Sequence, residues 1–369
     1  MLKHNKIVRI LFAITLLTAF NYSSFAQEIQ WYNPEKETDF IIEGQAWTKT
    51  VKNRYDRLPA SAESQVRKEV WKLSNNSAGL YISFTTDAKD IKVKYGLKER
   101  LALNQMPATG VSGVDLYALT KDNKWKWVKG QYLSFKSDTV SINFDKLYPE
   151  SVKAYRIYLP LYNTPKWFEI GIDKKSTFKT LSDKQSKPII VYGTSIAQGS
   201  SASRAGMAWT NILNRKLNVP VINLGFSGNG RLEPEITNLI AEKEASVFIL
   251  DCLPNLMIFS EAEVKEKILK AVQTIRQKHK HTPIILTEHA DATISLVNED
   301  RQKPFLKINT LMKDLFNLMK KQGVKHISLL TAEEIGLDID STADGIHPSD
   351  LGMMQYAEAY EKLIKKITK

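Results

Sequence analysis

Cysteine is nearly absent from this chain: Cys252 is its single thiol. One thiol excludes an intramolecular disulfide framework and leaves stability to packed cores. No stretch stands out as a membrane span, because the uncharged, mostly apolar run Ile10–Phe20 falls short of the ~20 residues that a spanning helix needs. Internal repeats and low-complexity tracts are not evident. None of the six histidines stands in a His-x-x-His or carboxylate spacing that argues for a metal. Lys and Arg outnumber Asp and Glu by 52 to 40, a formal charge of +12. The basic residues are dispersed among acids with only short clusters such as Lys278-His279-Lys280-His281, which reads as a solvated surface rather than a nucleic-acid track. Attraction to an acidic glycan or anionic surface stays open.

The first residues have a pattern of their own. Lys3, Lys6 and Arg9 precede the apolar run, and Ser24-Phe25-Ala26 follows it. This is the layout of an export signal cleaved after Ala26, so residues 1–26 are expected to leave and the mature chain to be periplasmic or secreted. Losing Lys3, Lys6 and Arg9 lowers the net charge to +9.

What remains, ~340 residues, is ample for two domains. Between Gly79 and Ile172, runs such as Leu80–Phe84, Ile91–Tyr95, Val140–Phe144, Tyr155–Leu159 and Trp167–Ile170 are rich in β-branched and aromatic residues, and several alternate with period two. They predict a β-sandwich of jelly-roll type over residues 27–177. Residues 178–187 read as a linker. Beyond it, apolar strands at Ile189–Tyr192, Val219–Leu224, Val247–Leu250, Pro283–Thr287 and His326–Leu330 alternate with helical stretches at Met207–Lys216, Pro234–Glu244, Glu261–His279, Pro304–Gln322 and Ser349–Ile367. Residues 188–369 are therefore expected to form a three-layer α/β/α domain on a parallel sheet.

In such a sheet the chemistry gathers at the C-terminal strand edge. The first parallel strand runs into Gly193-Thr194-Ser195, where Gly193 permits a sharp turn that exposes a serine hydroxyl. This is not a Gly-x-Ser-x-Gly elbow, since Ala197 holds the second glycine's place. Taken singly, Ser195 is an ordinary turn serine. After the second strand, Gly225-Phe226-Ser227-Gly228-Asn229-Gly230 offers three glycines whose backbone N–H groups can face an anion or oxyanion. No Gly-Lys-Ser/Thr follows, so a phosphate loop is disfavoured. After the third come Asp251, read as a capping carboxylate, Cys252, read as an inert buried thiol, and Asn255, which is either a turn residue or a side-chain amide donor. Late in the chain stands Asp344-Gly345-Ile346-His347. A weak hydroxyl nucleophile needs a base and the base an orienting carboxylate, and this pair supplies both. His289, at the end of the fourth strand, is a substrate contact or a second-choice base.

Together these segments resemble the SGNH hydrolases, or GDSL-type esterases, over roughly residues 188–369. Ser195, Gly228, Asn255 and Asp344/His347 fall in the order of that superfamily's four blocks. Thr194 replaces the Asp of Gly-Asp-Ser, and Leu253-Pro254-Asn255-Leu256 departs from Gly-x-Asn-Asp. Upstream, Ser112-Gly113-Val114-Asp115-Leu116-Tyr117 looks like the signature of the Gly-x-Asp-Leu-Tyr domain that precedes some exported SGNH hydrolases. The resemblance implies catalysis by Ser195, His347 and Asp344, an oxyanion hole from Ser195, Gly228 and Asn255, and no metal or organic cofactor. Asp115 and Tyr117 are expected to be structural.

These readings lead to an exported serine ester hydrolase acting on a small-molecule or polysaccharide ester, foremost a carbohydrate esterase that removes acetyl or similar groups. A lysophospholipase or thioesterase is the alternative within the same chemistry. A non-catalytic glycan-binding protein on a hydrolase fold is the alternative outside it. Trp31, Trp47, Tyr55, Trp71, Trp125 and Trp127 could stack on sugar rings, though core packing accounts for most aromatics in a sandwich.

Overall fold

The computed structural model describes residues 28–36, 40–136, 138–182, 186–290 and 297–368; the expected signal, residues 1–26, lies outside them. The C-terminal half is a parallel sheet of β11 (Ile189–Gly193), β12 (Val221–Gly225), β13 (Val247–Asp251), β14 (Ile284–Thr287) and β15 (Ile327–Leu330), in the spatial order β12-β11-β13-β14-β15. Its strands are mostly apolar because both faces are covered. Ile190, Tyr192, Phe248 and Leu250 enter one core, while Ile189, Val191, Val247 and Ile249 enter the other. That period-two division is what a pleated strand imposes. The chain leaves β11 for one neighbour and later returns to its other side as β13. The crevice of an open α/β sheet opens at such a reversal, beyond the carboxyl ends of the strands.

The helices are α1 (Lys68–Ser74), α2 (Ala108–Val111), α3 (Ser195–Gln198), α4 (Trp209–Leu217), α5 (Pro234–Ala241), α6 (Leu253–Leu256), α7 (Glu261–Lys278), α8 (Glu299–Lys321), α9 (Ala332–Ile335) and α10 (Asp350–Ile367). Apolar residues of α5, α7 and α8 cover one face of the sheet, and those of α4 and α10 the other. Helix α8 starts before Pro304, where the sequence suggested it begins. Asn298 caps it by accepting a hydrogen bond from the Arg301 N–H, so Pro304 falls inside the helix rather than in its opening position. Among the described residues, no helix is long and apolar enough to cross a membrane.

The N-terminal half is two antiparallel sheets. One contains β1 (Ile29–Tyr32), β3 (Ile91–Leu97), β6 (Gln131–Phe135), β7 (Thr139–Phe144) and β9 (Pro165–Asp173), ordered β1-β9-β3-β7-β6. The other contains β2 (Tyr81–Thr86), β4 (Asp115–Thr120), β5 (Trp125–Val128), β8 (Val152–Tyr158) and β10 (Phe178–Thr180), ordered β10-β2-β8-β4-β5. Ile82, Phe84, Leu116, Tyr155 and Ile157 meet Val93, Tyr95, Ile142, Phe168 and Ile170 in a shared core. The stretch read as a linker from residue 178 begins with β10, which pairs with β2.

The second sheet's outer face is not left to solvent. Tyr81, Tyr117 and Tyr158 join the core of the hydrolase half with Trp209 and Ile212. The Tyr158 hydroxyl and the Arg156 guanidinium both donate to Asn214 Oδ1, each at 2.6 Å. The two halves are thus cemented by aromatic and polar side chains that alternate with the sandwich core.

Candidate active site

Ser195 opens α3, a single turn between β11 and Gly199. Two features force this turn. Gly193 accepts a contact that a Cβ would bring within 2.5 Å of Ala197 Cβ, and Thr194 caps the turn through Oγ1, which accepts the Ile196 N–H (3.3 Å). Gly199 then ends it at φ +104°, a conformation suited to glycine. The result holds Ser195 largely buried with its hydroxyl at the crevice.

Its partner comes from the far end of the sequence. Ser195 Oγ lies 2.9 Å from His347 Nε2, and His347 Nδ1 lies 2.7 Å from Asp344 Oδ2. Asp344 Oδ1 accepts the backbone N–H groups of Ile346 (3.0 Å) and His347 (2.7 Å). Burial opposes ionisation of Asp344, but the His347 N–H, the His347 ring and the Ile346 N–H outweigh it and hold the carboxyl below its usual range. An ionised Asp344 accepts a proton-bearing Nδ1, which leaves Nε2 as the basic atom facing the serine.

The glycine-rich segment after β12 divides its labour in a way that the sequence does not show. Gly225 is packed where a Cβ would meet Gln198 N at 2.2 Å, and Gly230 where it would meet Gly193 O at 2.1 Å. The Gly230 N–H is already spent on Phe226 O and on Asn255 Oδ1 (3.1 Å). Only Gly228, at φ +69°, has open space around it. Because Asn255 Oδ1 accepts from Gly230, its NH₂ is the end of the amide left for a ligand. Ser195, Ser227, Gly228, Asn255, His289, Arg301, Phe305 and His347 all line one cavity of about 360 Å³. His289 donates through Nδ1 to Ala290 O (3.1 Å); it lines the cavity without replacing His347 beside Ser195.

Known proteins resemble this chain. Residues 186–365 match the GDSL-like lipase/acylhydrolase family, and residues 29–178 match the domain described as the N-terminus of SGNH-hydrolase-type esterases. A crystal structure described as a GDSL-like lipase from Bacteroides ovatus is 31% identical, with a TM-score of 0.83 over 92% of this chain and 98% of that one. This chain belongs to the GDSL-like lipase/acylhydrolase family. It is an ester-bond hydrolase of the SGNH type. At fold level it also resembles a salicylyl-acyltransferase of a tetracycline biosynthetic pathway (17% identity, TM-score 0.73, 92% and 97% of the two chains). An acetyl xylan esterase from Butyrivibrio proteoclasticus shares the fold too (10% identity, TM-score 0.54, 91% and 98%). No curated protein matches the chain.

Three residues of this SGNH esterase escaped the sequence reading, and they brace the Ser195 turn and the end of β12. Arg57 is fully buried, has no acidic partner among the described residues, and donates to Asn76 O, Leu73 O, Asn223 O and Gly225 O. Burial pushes its guanidinium down to about 9. Gln198 donates to Asn76 Oδ1 and Leu161 O and accepts the Ser227 N–H (3.0 Å). The Tyr162 hydroxyl donates to Ser195 O (3.3 Å). No motif surrounds Arg57 in Tyr55-Asp56-Arg57-Leu58-Pro59, so no local signal could have found it.

The Gly-x-Asp-Leu-Tyr signature acts at the same junction. Asp115 accepts from Arg204 (2.8 Å), the Gly206 N–H (2.7 Å) and Trp127 Nε1 (3.0 Å), and Arg204 also donates to the Tyr117 hydroxyl. Asp115 and Tyr117 thereby hold the loop that follows the nucleophile turn. Asp251 is not the cap that the sequence suggested. Its buried carboxyl bonds Tyr360, whose hydroxyl also meets Thr287 Oγ1 (2.7 Å), and burial raises it to about 7 against the lowering effect of that tyrosine. Cys252 is buried with its thiol pushed up by burial, and so is no nucleophile.

Proposed function

We propose that this protein is an exported serine esterase that removes acetyl or similarly small acyl groups from a polysaccharide. The observation that carries the catalytic part is the unbroken relay from Ser195 Oγ through His347 to Asp344 beside one open cavity. His347 Nε2 takes the hydroxyl proton as Ser195 Oγ bonds the ester carbon, and Asp344 stabilises the imidazolium. The oxyanion is met by the Ser195 and Gly228 N–H groups and the Asn255 amide. As the tetrahedral species collapses, His347 returns the proton to the departing alcohol. Water, deprotonated by the same nitrogen, then releases the acid from the acyl-enzyme.

The leader-like pattern of Lys3, Lys6, Arg9 and Ile10–Phe20 supports export. A cavity of about 360 Å³ lies at the small end of the range for ligand sites, which favours a short acyl group over a long lipid chain. Neighbours in fold include the acetyl xylan esterase and a family two carbohydrate esterase from Cellvibrio japonicus.

The test is turnover of 4-nitrophenyl esters of increasing chain length, with acetate release from acetylated xylan. Short esters and acetylated xylan should be hydrolysed, and a fluorophosphonate should label Ser195. Preference for palmitoyl esters or lysophospholipids would replace the carbohydrate reading with the lipase one, and labelling at another residue would remove the mechanism. Recovery of a chain beginning at Gln27 from the periplasm or medium tests export.

A further inference from the structure

The cavity beside Ser195 is uneven in charge. Among the described residues its lining includes no Asp or Glu, and Arg301 is its one permanent cation. Arg301 lies in the first turn of α8, directly after Glu299 and Asp300. Those two acids suit the positive end of the helix, whereas an arginine there opposes the helix dipole. The Arg301 side chain has no ion-pair partner among the described residues.

A second arginine lies next to one glycine of that lining. Arg231 donates from Nε to Gly228 O (3.1 Å), and it too lacks an acidic partner among the described residues. One unpaired guanidinium therefore lines a pocket whose described lining residues include no acid, in a chain whose formal charge is +12. A guanidinium presents donors in a planar fork that fits a carboxylate with two parallel hydrogen bonds.

We infer that the ester substrate carries a carboxylate and that Arg301 pairs with it while Ser195 engages the ester carbon. This inference rests on the serine-esterase reading above and names its substrate class. The carboxylate can sit on the alcohol side, as in an acylated sugar acid, or at the far end of a dicarboxylic acyl group. Arg301 reads the same anion in either case.

The experiment compares matched esters. On the acyl side the pair is 4-nitrophenyl valerate and mono-4-nitrophenyl succinate; on the leaving-group side it is phenyl acetate and 3-carboxyphenyl acetate. The readout is the ratio of kcat/KM for the anionic ester to that for the neutral one. In the full chain with Arg301→Gln, this ratio should fall by about 10- to 100-fold in one of the two pairs, the range expected for a hydrogen bond to a charged group. Arg301→Lys should restore part of it, and the wild-type ratio should decline as salt is raised. The pair that responds tells which side of the ester carries the carboxylate. A ratio changed by less than about twofold in both pairs overturns the inference. If the wild type still turns over the neutral esters and Ser195→Ala does not, the esterase reading survives that failure. If the wild type turns over none of the four esters, both fall.

Discussion

The two ends of the proposed catalytic relay are held in different ways. Asp344 and His347 organise themselves: the carboxylate binds the backbone N–H groups two and three residues ahead and the ring of the third. Ser195 and Gly228 depend on residues far away in the chain. Arg57 spans the end of β12 from the sandwich half, Tyr162 reaches the Ser195 carbonyl, and Gln198 ties the nucleophile turn to both Asn76 and Ser227. The acid–base half is thus a short-range motif, while the nucleophile and oxyanion half belongs to the interface between domains. The sandwich is accordingly part of the proposed site's scaffold.

The strongest way to break this contrast is at its meeting point. Ser195→Ala and His347→Ala should each lower kcat for 4-nitrophenyl acetate on the order of 10⁵- to 10⁶-fold, and by similar amounts because the two act as a unit. An inactive His289→Ala beside a near-normal His347→Ala would move the base to His289. Asp344→Asn should cost on the order of 10⁴-fold, since it misdirects the ring without removing it. Because Asp344 is held below the usual carboxylate range, its contribution to stability is complete above about pH 4 and is lost as pH falls through its lower folded value. Unfolding free energies of the wild type and Asp344→Asn should therefore converge only in strong acid.

On the interdomain side, Arg57→Gln removes a cation that satisfies four buried carbonyls. It should destabilise the protein by about 3 kcal/mol, as expected for several stranded acceptors, and slow kcat more than it raises KM because the Ser195 and Gly228 backbone loses its brace. An Arg57→Gln protein with ordinary stability and kcat would show that the interface does not position the nucleophile. The smallest effect is expected beneath the site. The Asp251 carboxyl is raised to about 7, so the folded state holds its proton over a range in which the unfolded chain releases it. Stability is then lost progressively as pH rises from about 4 towards 7. Asp251→Asn should flatten that slope, by on the order of a few kcal/mol at most across the window, and urea titrations at several pH values would show it.

Recognition followed the same division. The parallel strands were legible because each is a short β-branched run between turn residues, and β11 to β15 begin within two residues of their expected starts. Strands β1, β4, β5, β6 and β10 escaped; β5, β6 and β10 carry mixed residues such as Lys126, Gln131 and Lys179 at exposed or edge positions that weaken any apolar alternation. In Gly225, Gly228 and Gly230 the sequence presents three equivalent glycines. Packing alone distinguishes the two that permit close backbone contact from the one that faces the cavity.

By itself, then, the sequence determined what is encoded at short range: the two-domain order, the period of each core, the Asp344-x-x-His347 pair and the serine at the end of a strand. Tertiary structure alone decided which histidine meets Ser195, that Arg57, Gln198 and Tyr162 brace it, that Asp251 is a buried acid rather than a cap, and that Arg301 shares its cavity. The physical reason is that hydrogen bonds across 150 residues, burial without a partner and the charge of a pocket's lining are properties of neighbours in space. No periodicity or motif along the chain records them.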